Sequence, residues 1–165
     1  MTHKVIYPLS ADPFTSGHKD IVQRMISLFP SREIHIIIAN NRDKKHFFSS
    51  EERLDIVKAS LDGLNLKNTK IILFDGILSD YAKANNADVM IRGIRNATDL
   101  DYEIKLEQFT RNTSDVETVY LTPYTEHLNT SSSLVRMFLE TNNIQEAEKF
   151  MCKDGYKKML EIVNK

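Results

Sequence analysis

The amino-acid sequence predicts an α/β protein, a doubly wound sheet of five parallel strands with helices on both faces. Short β-rich runs recur along the 165 residues and alternate with helical patterns, the arrangement that places helices over a mostly parallel sheet. The third run, Ile71-Ile72-Leu73-Phe74, is continuously apolar, as expected of a strand buried on both faces.

The first strand is expected over residues 4–7, where Val5, Ile6 and Tyr7 precede a turn-rich loop. A helix over 17–29 follows, with Ile21, Val22, Met25, Ile26 and Phe29 on one side. The second strand spans 33–39. The next helix, 50–61, is opened by Ser49-Ser50-Glu51-Glu52, a capped N-terminus, and carries Leu54, Val57 and Leu61 in register. The third strand, 70–74, leads to a short helix near 78–85, and the fourth, 88–92, to a helix over 99–111. That helix shows Tyr102, Leu106 and Phe109 at helical spacing. A fifth strand over 117–121 precedes a final helical region that runs from Ser132 to the C-terminus, interrupted around Lys153-Asp154-Gly155. The whole is read as one domain, 1–165, with C-terminal helices from about 132.

In open α/β sheets the ligand crevice lies beyond the carboxyl ends of the strands. Each expected strand leads there to polar or glycine-containing segments: Ser10 and Asp12; Asn40, Asn41, Lys44 and Lys45; Asp75-Gly76-Ile77-Leu78; Arg92-Gly93-Ile94-Arg95; and 122–133. Five separate segments converging on one edge argue for one composite site, suited to a polyanion with a nucleoside end.

The most informative of these is Asp12-Pro13-Phe14-Thr15-Ser16-Gly17-His18. A strand, a small-residue loop and a helix N-terminus offer unpaired N–H groups and a positive dipole end to an anion. A histidine in the first helical turn adds a donor able to carry charge near neutral pH. There is no G-x-G-x-x-G and no Gly-Lys-Ser/Thr, which excludes the dinucleotide fingerprint and the P-loop. Arg92-Gly93-x-Arg95 sets two guanidinium groups about a glycine at a strand end, chemistry suited to bidentate phosphate recognition. Thr130-Ser131-Ser132-Ser133 opens a further helix with four hydroxyls; Arg136 lies one turn on. Each motif has a plainer structural reading: a solvated helix cap, two surface arginines, a redundant N-cap.

Composition bounds the alternatives. A formal net charge of −1 gives no sign of non-specific nucleic-acid or anionic-membrane binding. The single cysteine, Cys152, forms no intrachain disulfide and fits a reducing compartment. No apolar run approaches the length of a membrane span. The sequence therefore reads as cytoplasmic, without nucleic-acid or membrane partners.

Taken together, Asp12-Pro13-x-Thr15-x-Gly17-His18, Lys44-Lys45 before Phe48-x-x-Glu51-Glu52-Arg53, Ile91-Arg92-Gly93-x-Arg95, Asp101-Tyr102-Glu103 and Ser131-Ser132-Ser133-Leu134-Val135 are similar to the bacterial phosphopantetheine adenylyltransferases. These belong to the nucleotidyltransferase superfamily marked by (His/Thr)-x-Gly-His, with a Rossmann-like sheet. The likeness runs from about Lys4 to Arg136. It implies transfer of the adenylyl group of ATP to 4′-phosphopantetheine, giving 3′-dephospho-coenzyme A and pyrophosphate in coenzyme A synthesis, with Mg²⁺ on the ATP phosphates. It also implies a homohexamer built as a dimer of trimers.

By the same resemblance His18 stabilises the transition state at the α-phosphate. Ser10, Lys44 and Arg92 hold the incoming phosphate, and Leu78 lines the pantetheine arm. The ATP site is assigned Ser10, Ala11, His18, Gly93, Ile94, Arg95 and Glu103, with His127, Leu128, Asn129, Thr130, Ser131, Ser132 and Ser133. No residue is assigned as a metal ligand.

Two departures stand out. The family usually reads Pro-Gly-(Ser/Thr)-Phe-Asp-Pro, against Pro8-Leu9-Ser10-Ala11-Asp12-Pro13 here. Leu9 brings a Cβ where glycine lets the loop bend, and Ala11 lacks an aromatic ring. His127 and Thr130 also replace bulkier residues near the adenine. Two other readings stay open: a related nucleotidylyltransferase acting on, for instance, nicotinamide mononucleotide, and a non-catalytic nucleotide-binding protein that keeps the fold.

Overall fold

A computed structural model describes residues 3–40 and 45–165. The strands are β1 (Lys4–Leu9), β2 (Glu33–Ala39), β3 (Thr69–Phe74), β4 (Ala87–Gly93) and β5 (Glu117–Leu121). The helices are α1 (Ser16–Leu28), α2 (Ser50–Ser60), α3 (Leu78–Ala84), α4 (Ala97–Thr113), α5 (Ser132–Glu140) and α6 (Lys153–Val163). Short 3₁₀ turns occupy Thr125–His127 and Ile144–Phe150.

The five strands pair in parallel in the order β3-β2-β1-β4-β5. Side chains alternate across the sheet with the period of two that a strand imposes. Val5, Tyr7, Ile34, Ile36, Ile38 and Ile91 enter the larger core, together with Ile21, Val22 and Met25 of α1 and Ile56 and Val57 of α2. Val135 of α5 and Met159 of α6 complete that side. Ile6, Ile37 and Met90 point the other way and meet Tyr81 and Ala82 of α3. Helices therefore cover both faces, as expected.

β2 carries a buried histidine on that second face. His35 bonds through Nδ1 to the Tyr81 hydroxyl at 2.7 Å and through Nε2 to Glu33 at 2.8 Å. Lys70 also pairs with Glu33 at 2.6 Å, and the two bonds hold the Glu33 carboxyl down to about 2. A polar residue in the middle of a strand is tolerated here because both ring nitrogens are satisfied.

Two expectations need correction, and one pattern left open is resolved. β3 is the sheet edge, paired with β2 alone, and Ile71, Ile72, Leu73 and Phe74 are only half-buried. The apolar run reflects partial cover, and a continuous run cannot tell an edge strand from a central one. The C-terminal helical region breaks elsewhere: α5 stops before Thr141, Asn142 holds a left-handed φ of 56°, and Cys152 caps α6. Lys153-Asp154-Gly155 is the first turn of α6, not a gap. The apolar spacing on α4 marks a helix without a core face. Tyr102 is 56% exposed, Phe109 is 61% exposed, and Thr110 is the one buried residue of α4.

Gly155 sits in that turn because α6 crosses α2 closely. A Cβ at 155 would fall 2.0 Å from Ser60 Oγ, 3.1 Å from its Cβ and 3.4 Å from its Cα. Gly155→Ala should therefore destabilise by about 1–3 kcal/mol despite the better helix propensity of alanine. A lowered urea midpoint with unchanged m-value is the expected result; an unchanged midpoint would mean that the α2–α6 crossing relaxes freely.

Candidate active site

β1 lies between β2 and β4, so the chain leaves it toward one neighbour and later returns to the other. The loops beyond such a strand diverge and open a crevice. Here a cleft of about 1070 Å³ occupies that position, lined by residues that follow all five strands.

Two helix N-termini face it. Thr15, Gly17 and His18 begin α1, and Ser131, Ser132 and Ser133 begin α5. The first turn of α1 closes on its own histidine. The Thr15 amide donates to His18 Nδ1 at 3.0 Å, and Thr15 Oγ1 lies 2.9 Å from the same nitrogen. His18 thus takes the place that glutamate holds in a capping box. With Nδ1 accepting, the neutral ring carries its proton on Nε2. Burial, aided by the Arg95 guanidinium, lowers the His18 pKa to about 4.

In α5, Ser131 caps the helix by accepting from Leu134 N at 3.1 Å. Ser132 Oγ donates to the Pro13 carbonyl at 2.8 Å, tying the two helix starts together. Ser133 Oγ accepts from Arg136 Nη2 at 3.0 Å. Part of this hydroxyl cluster is therefore structural, as the plainer reading holds.

The arginines are paired with carboxylates from α4. Arg92 Nε lies 3.3 Å from Glu103 Oε2, both side chains being mostly buried. Arg95 Nε donates to Asp99 Oδ2 at 2.9 Å, and its Nη1 reaches the Thr130 carbonyl at 3.3 Å. Tyr7 stands beneath Gly93, its hydroxyl 3.5 Å from where a Cβ at 93 would be. Burial holds that phenol well above its ordinary pKa.

The β1–α1 loop is held from behind. Asp12 accepts the Phe47 and Phe48 amides at 2.9 and 3.0 Å, and its carbonyl takes Arg136 Nη1 at 2.6 Å. Arg53, only 1% exposed, donates Nη1 to the Ser10 and Ala39 carbonyls at 2.6 and 3.2 Å. Its Nη2 reaches Asn40 Oδ1 and Ser50 Oγ, both at 3.2 Å.

Of the residues expected in the site, Ser10, Ala11, His18, Leu78, Arg92 and Gly93 line the cleft. So do Arg95, Glu103, His127, Thr130 and the three serines. Ile94, Leu128 and Asn129 do not. Ile94 instead continues the sheet, its amide bonding to the Leu121 carbonyl at 2.9 Å, while Leu128 and Asn129 are exposed. Lys44 lies outside the described residues. Sequence reasoning assigned no site role to Tyr7, Ile77, Tyr102, Leu106 or Phe109, all in the cleft wall. The helical spacing of the last three was visible, but nothing in it distinguished a ligand wall from a core face.

The loop departures resolve differently from the expectation. Leu9 pairs with Ile38 as an ordinary strand residue and packs against the main core. The left-handed residue is Ala11, at φ 50° and 2% exposed.

The family model described as cytidylyltransferase-like matches residues 6–138. A phosphopantetheine adenylyltransferase of Polynucleobacter necessarius is 40% identical over 132 residues, covering 79% of this chain and 78% of that protein. One from Vesicomyosocius okutanii is 39% identical over 132 residues, covering 79% and 81%. Among solved structures, a bifunctional NMN adenylyltransferase/ADP ribose pyrophosphatase from Francisella tularensis, complexed with AMP and a manganese ion, superposes with a TM-score of 0.66. It is 17% identical, and the match covers 100% of this chain and 50% of that one. The Plasmodium falciparum nicotinic acid mononucleotide adenylyltransferase complexed with NaAD gives 0.68 at 17% identity, covering 98% and 96%. The structural likenesses establish the shared fold. The family match over most of the chain, with relatives near 40% identity, goes further: the chain belongs to the phosphopantetheine adenylyltransferases of the cytidylyltransferase-like family.

Proposed function

We propose that this protein transfers the adenylyl group of ATP to 4′-phosphopantetheine, forming 3′-dephospho-coenzyme A and releasing pyrophosphate. The observation that carries the reading is one cleft, at the strand-order reversal, shared by His18, Arg92, Arg95 and the N-termini of α1 and α5. A phosphate oxygen of 4′-phosphopantetheine attacks the α-phosphorus of ATP in line, and the bond to the β-phosphate oxygen breaks as pyrophosphate departs. A phosphate monoester is already an anionic nucleophile near pH 7, so no general base is required. Catalysis then rests on positioning and on charge stabilisation.

Ser10, Lys44 and Arg92 are assigned to the incoming phosphate and Leu78 to the pantetheine arm. Arg95, Glu103 and the stretch from His127 to Ser133 are assigned to ATP. Mg²⁺ enters on the ATP phosphates, a hard cation that keeps most of its water and takes few protein ligands. The working form is a single-domain chain in a cytoplasmic homohexamer, a dimer of trimers. Exposed apolar side chains such as Ile104 on α4 support an assembly that covers them.

The primary test mixes protein, ATP, Mg²⁺ and 4′-phosphopantetheine and follows dephospho-coenzyme A. Nicotinamide mononucleotide in place of 4′-phosphopantetheine should give no product; the reverse preference would transfer the assignment to the related enzymes. Arg92→Ala should weaken use of 4′-phosphopantetheine by about 1.5–3 kcal/mol, the value of a charge-assisted contact, with a much smaller effect on ATP. Equal loss of both ligands would remove Arg92 from that role.

His18 is assigned the α-phosphate. As a neutral Nε2–H donor it needs no proton to be released or gained, and charge building on the phosphoryl oxygens strengthens its hydrogen bond. Removing one preorganised donor of this kind costs about 10²–10³ in turnover. His18→Ala should lower kcat by that factor while ATP affinity changes little; a normal kcat with a raised KM for ATP would make His18 a ground-state binder.

The buried ring also has an acid signature. Its folded pKa, about 4, lies below the ordinary 6.5, so between those values the unfolded chain binds the extra proton. This contribution to stability is therefore whole above pH 6.5 and falls as pH drops toward 4. His18→Gln should flatten that part of the stability–pH curve. In the parent, NMR should find the ring neutral down to about pH 4 and its pKa raised when ATP binds, because adjacent phosphate charge favours imidazolium. A free-protein ring titrating near 6.5 would contradict the buried, Thr15-bonded geometry.

A further inference from the structure

Arg53 contributes no atom to the cleft, yet it touches three residues of the cleft wall: Ser10, Ala39 and Asn40. It is the one buried Lys or Arg among the described residues. Sinking a guanidinium into a protein interior is costly unless its donors are well placed. Here its Nε is buried with no hydrogen-bond partner among the described residues, an expense that simple cross-linking of strand ends does not explain. The group is aimed so that Nη1 meets the Ser10 carbonyl at 2.6 Å.

That carbonyl belongs to the same planar peptide unit as the Ala11 N–H. The Ser10–Ala11 bond is trans, the cis peptide among the described residues being Asp12-Pro13. In a trans peptide the C=O and N–H point in nearly opposite directions. Drawing the oxygen down onto Arg53 therefore turns the Ala11 N–H away from the guanidinium. Ser10 and Ala11 both line the cleft, so this is the direction from which a ligand approaches. The same logic holds next door: Arg53 takes the Ala39 carbonyl, and the Asn40 N–H of that unit points away to the Phe74 carbonyl at 3.0 Å. At Ala11 the orientation comes with a left-handed backbone, φ 50°, a conformation that an alanine adopts only under constraint. Ser50 Oγ, at the start of α2, fixes the far side of the fork at 3.2 Å.

We propose that Arg53 is a positioning residue that sets the Ser10–Ala11 peptide so that the Ala11 N–H donates to a phosphate oxygen of the nucleotide. The inference rests on the adenylyl-transfer reading for the identity of that phosphate, but the oriented peptide is a property of the loop.

The test is Arg53→Lys, which keeps the charge and loses the fork. ATP and adenosine affinities are measured by calorimetry and by competition, alongside turnover and melting temperature. The expected result is a melting temperature within a few degrees of the parent, unchanged adenosine affinity, and roughly tenfold losses in ATP affinity and in kcat/KM for ATP, one charge-assisted contact's worth. Adenosine and ATP weakened by the same factor, or neither weakened, would overturn the proposal, since a merely structural arginine makes no distinction between them. Should Arg53→Lys fail to fold, Ser50→Ala is read in the same way. A threefold or greater fall in the preference for ATP over adenosine supports the positioning role, and an unchanged preference overturns it. A parent that prefers ATP to adenosine but makes no dephospho-coenzyme A would instead defeat the reaction assigned above, leaving the peptide geometry to stand or fall on the binding ratio.

Discussion

The arrangement depends on one topological constraint, the central position of β1 between β2 and β4 in an all-parallel sheet. Parallel strands must be joined by crossovers, and helices covering both faces follow from the need to bury both sides of β1. Val5 and Tyr7 on one face and Ile6 on the other are almost wholly buried. The loops that leave β1 and β4 cannot both turn toward the same neighbour, so the space between them stays open. Everything chemical gathers there: the start of α1 after β1, Arg92 and Gly93 at the end of β4, and the start of α5 beyond β5.

Two helix N-termini and three arginines give this opening a positive character that its own carboxylates offset. Arg92 is matched by Glu103, Arg95 by Asp99, and Arg136 approaches Asp12. The Arg95–Asp99 pair spans one helical turn at the cleft rim, and partly exposed pairs of this kind contribute at most about 1 kcal/mol. On the proposed reading, a polyphosphate would bring several negative charges to the same guanidinium groups and compete with these carboxylates for them. Arg92 and Glu103 are more enclosed, at 14% and 18% exposure, and their separation carries a larger desolvation penalty. These ion pairs thus keep the cations of the cleft in place without leaving them as buried, unmatched charge.

How much of this was legible in the sequence follows from which signals are local. The alternation of runs gave every strand within two residues of its observed ends, because side-chain period and helix capping are properties of neighbouring residues. Thr15 and His18 were readable as a helix start, and the amide-to-imidazole bond now explains why that start holds its ring. The edge position of β3 was not readable, since strand order is decided by crossovers that leave no mark in Ile71-Ile72-Leu73-Phe74. Tyr102, Leu106 and Phe109 showed the correct period, but not their place: they serve a cleft wall, and periodicity reports a shared face without saying what covers it. Arg53 was visible only as part of a motif, because most of its partners, the Ser10 and Ala39 carbonyls and Asn40, lie at the distant ends of two strands.

The altered loop shows why substitution at a familiar glycine need not disturb a site. A glycine is favoured where φ is positive or where another chain segment comes close. Leu9 meets neither condition: it extends the β1 ladder opposite Ile38, and its side chain joins the main core. The strained position is one turn of the loop further on, at Ala11, where the smallest L side chain fits a site with almost no exposed surface. The left-handed turn there is fastened on both sides, by Arg53 through the Ser10 carbonyl and by Arg136 through the Asp12 carbonyl. With both flanking carbonyls drawn to arginines, one buried and one partly exposed, the loop's shape is set by those side chains rather than by glycine's freedom. The orientation proposed for the Ser10–Ala11 peptide therefore rests on side chains outside the loop, Arg53 from α2 and Arg136 from α5, and not on the residues within it.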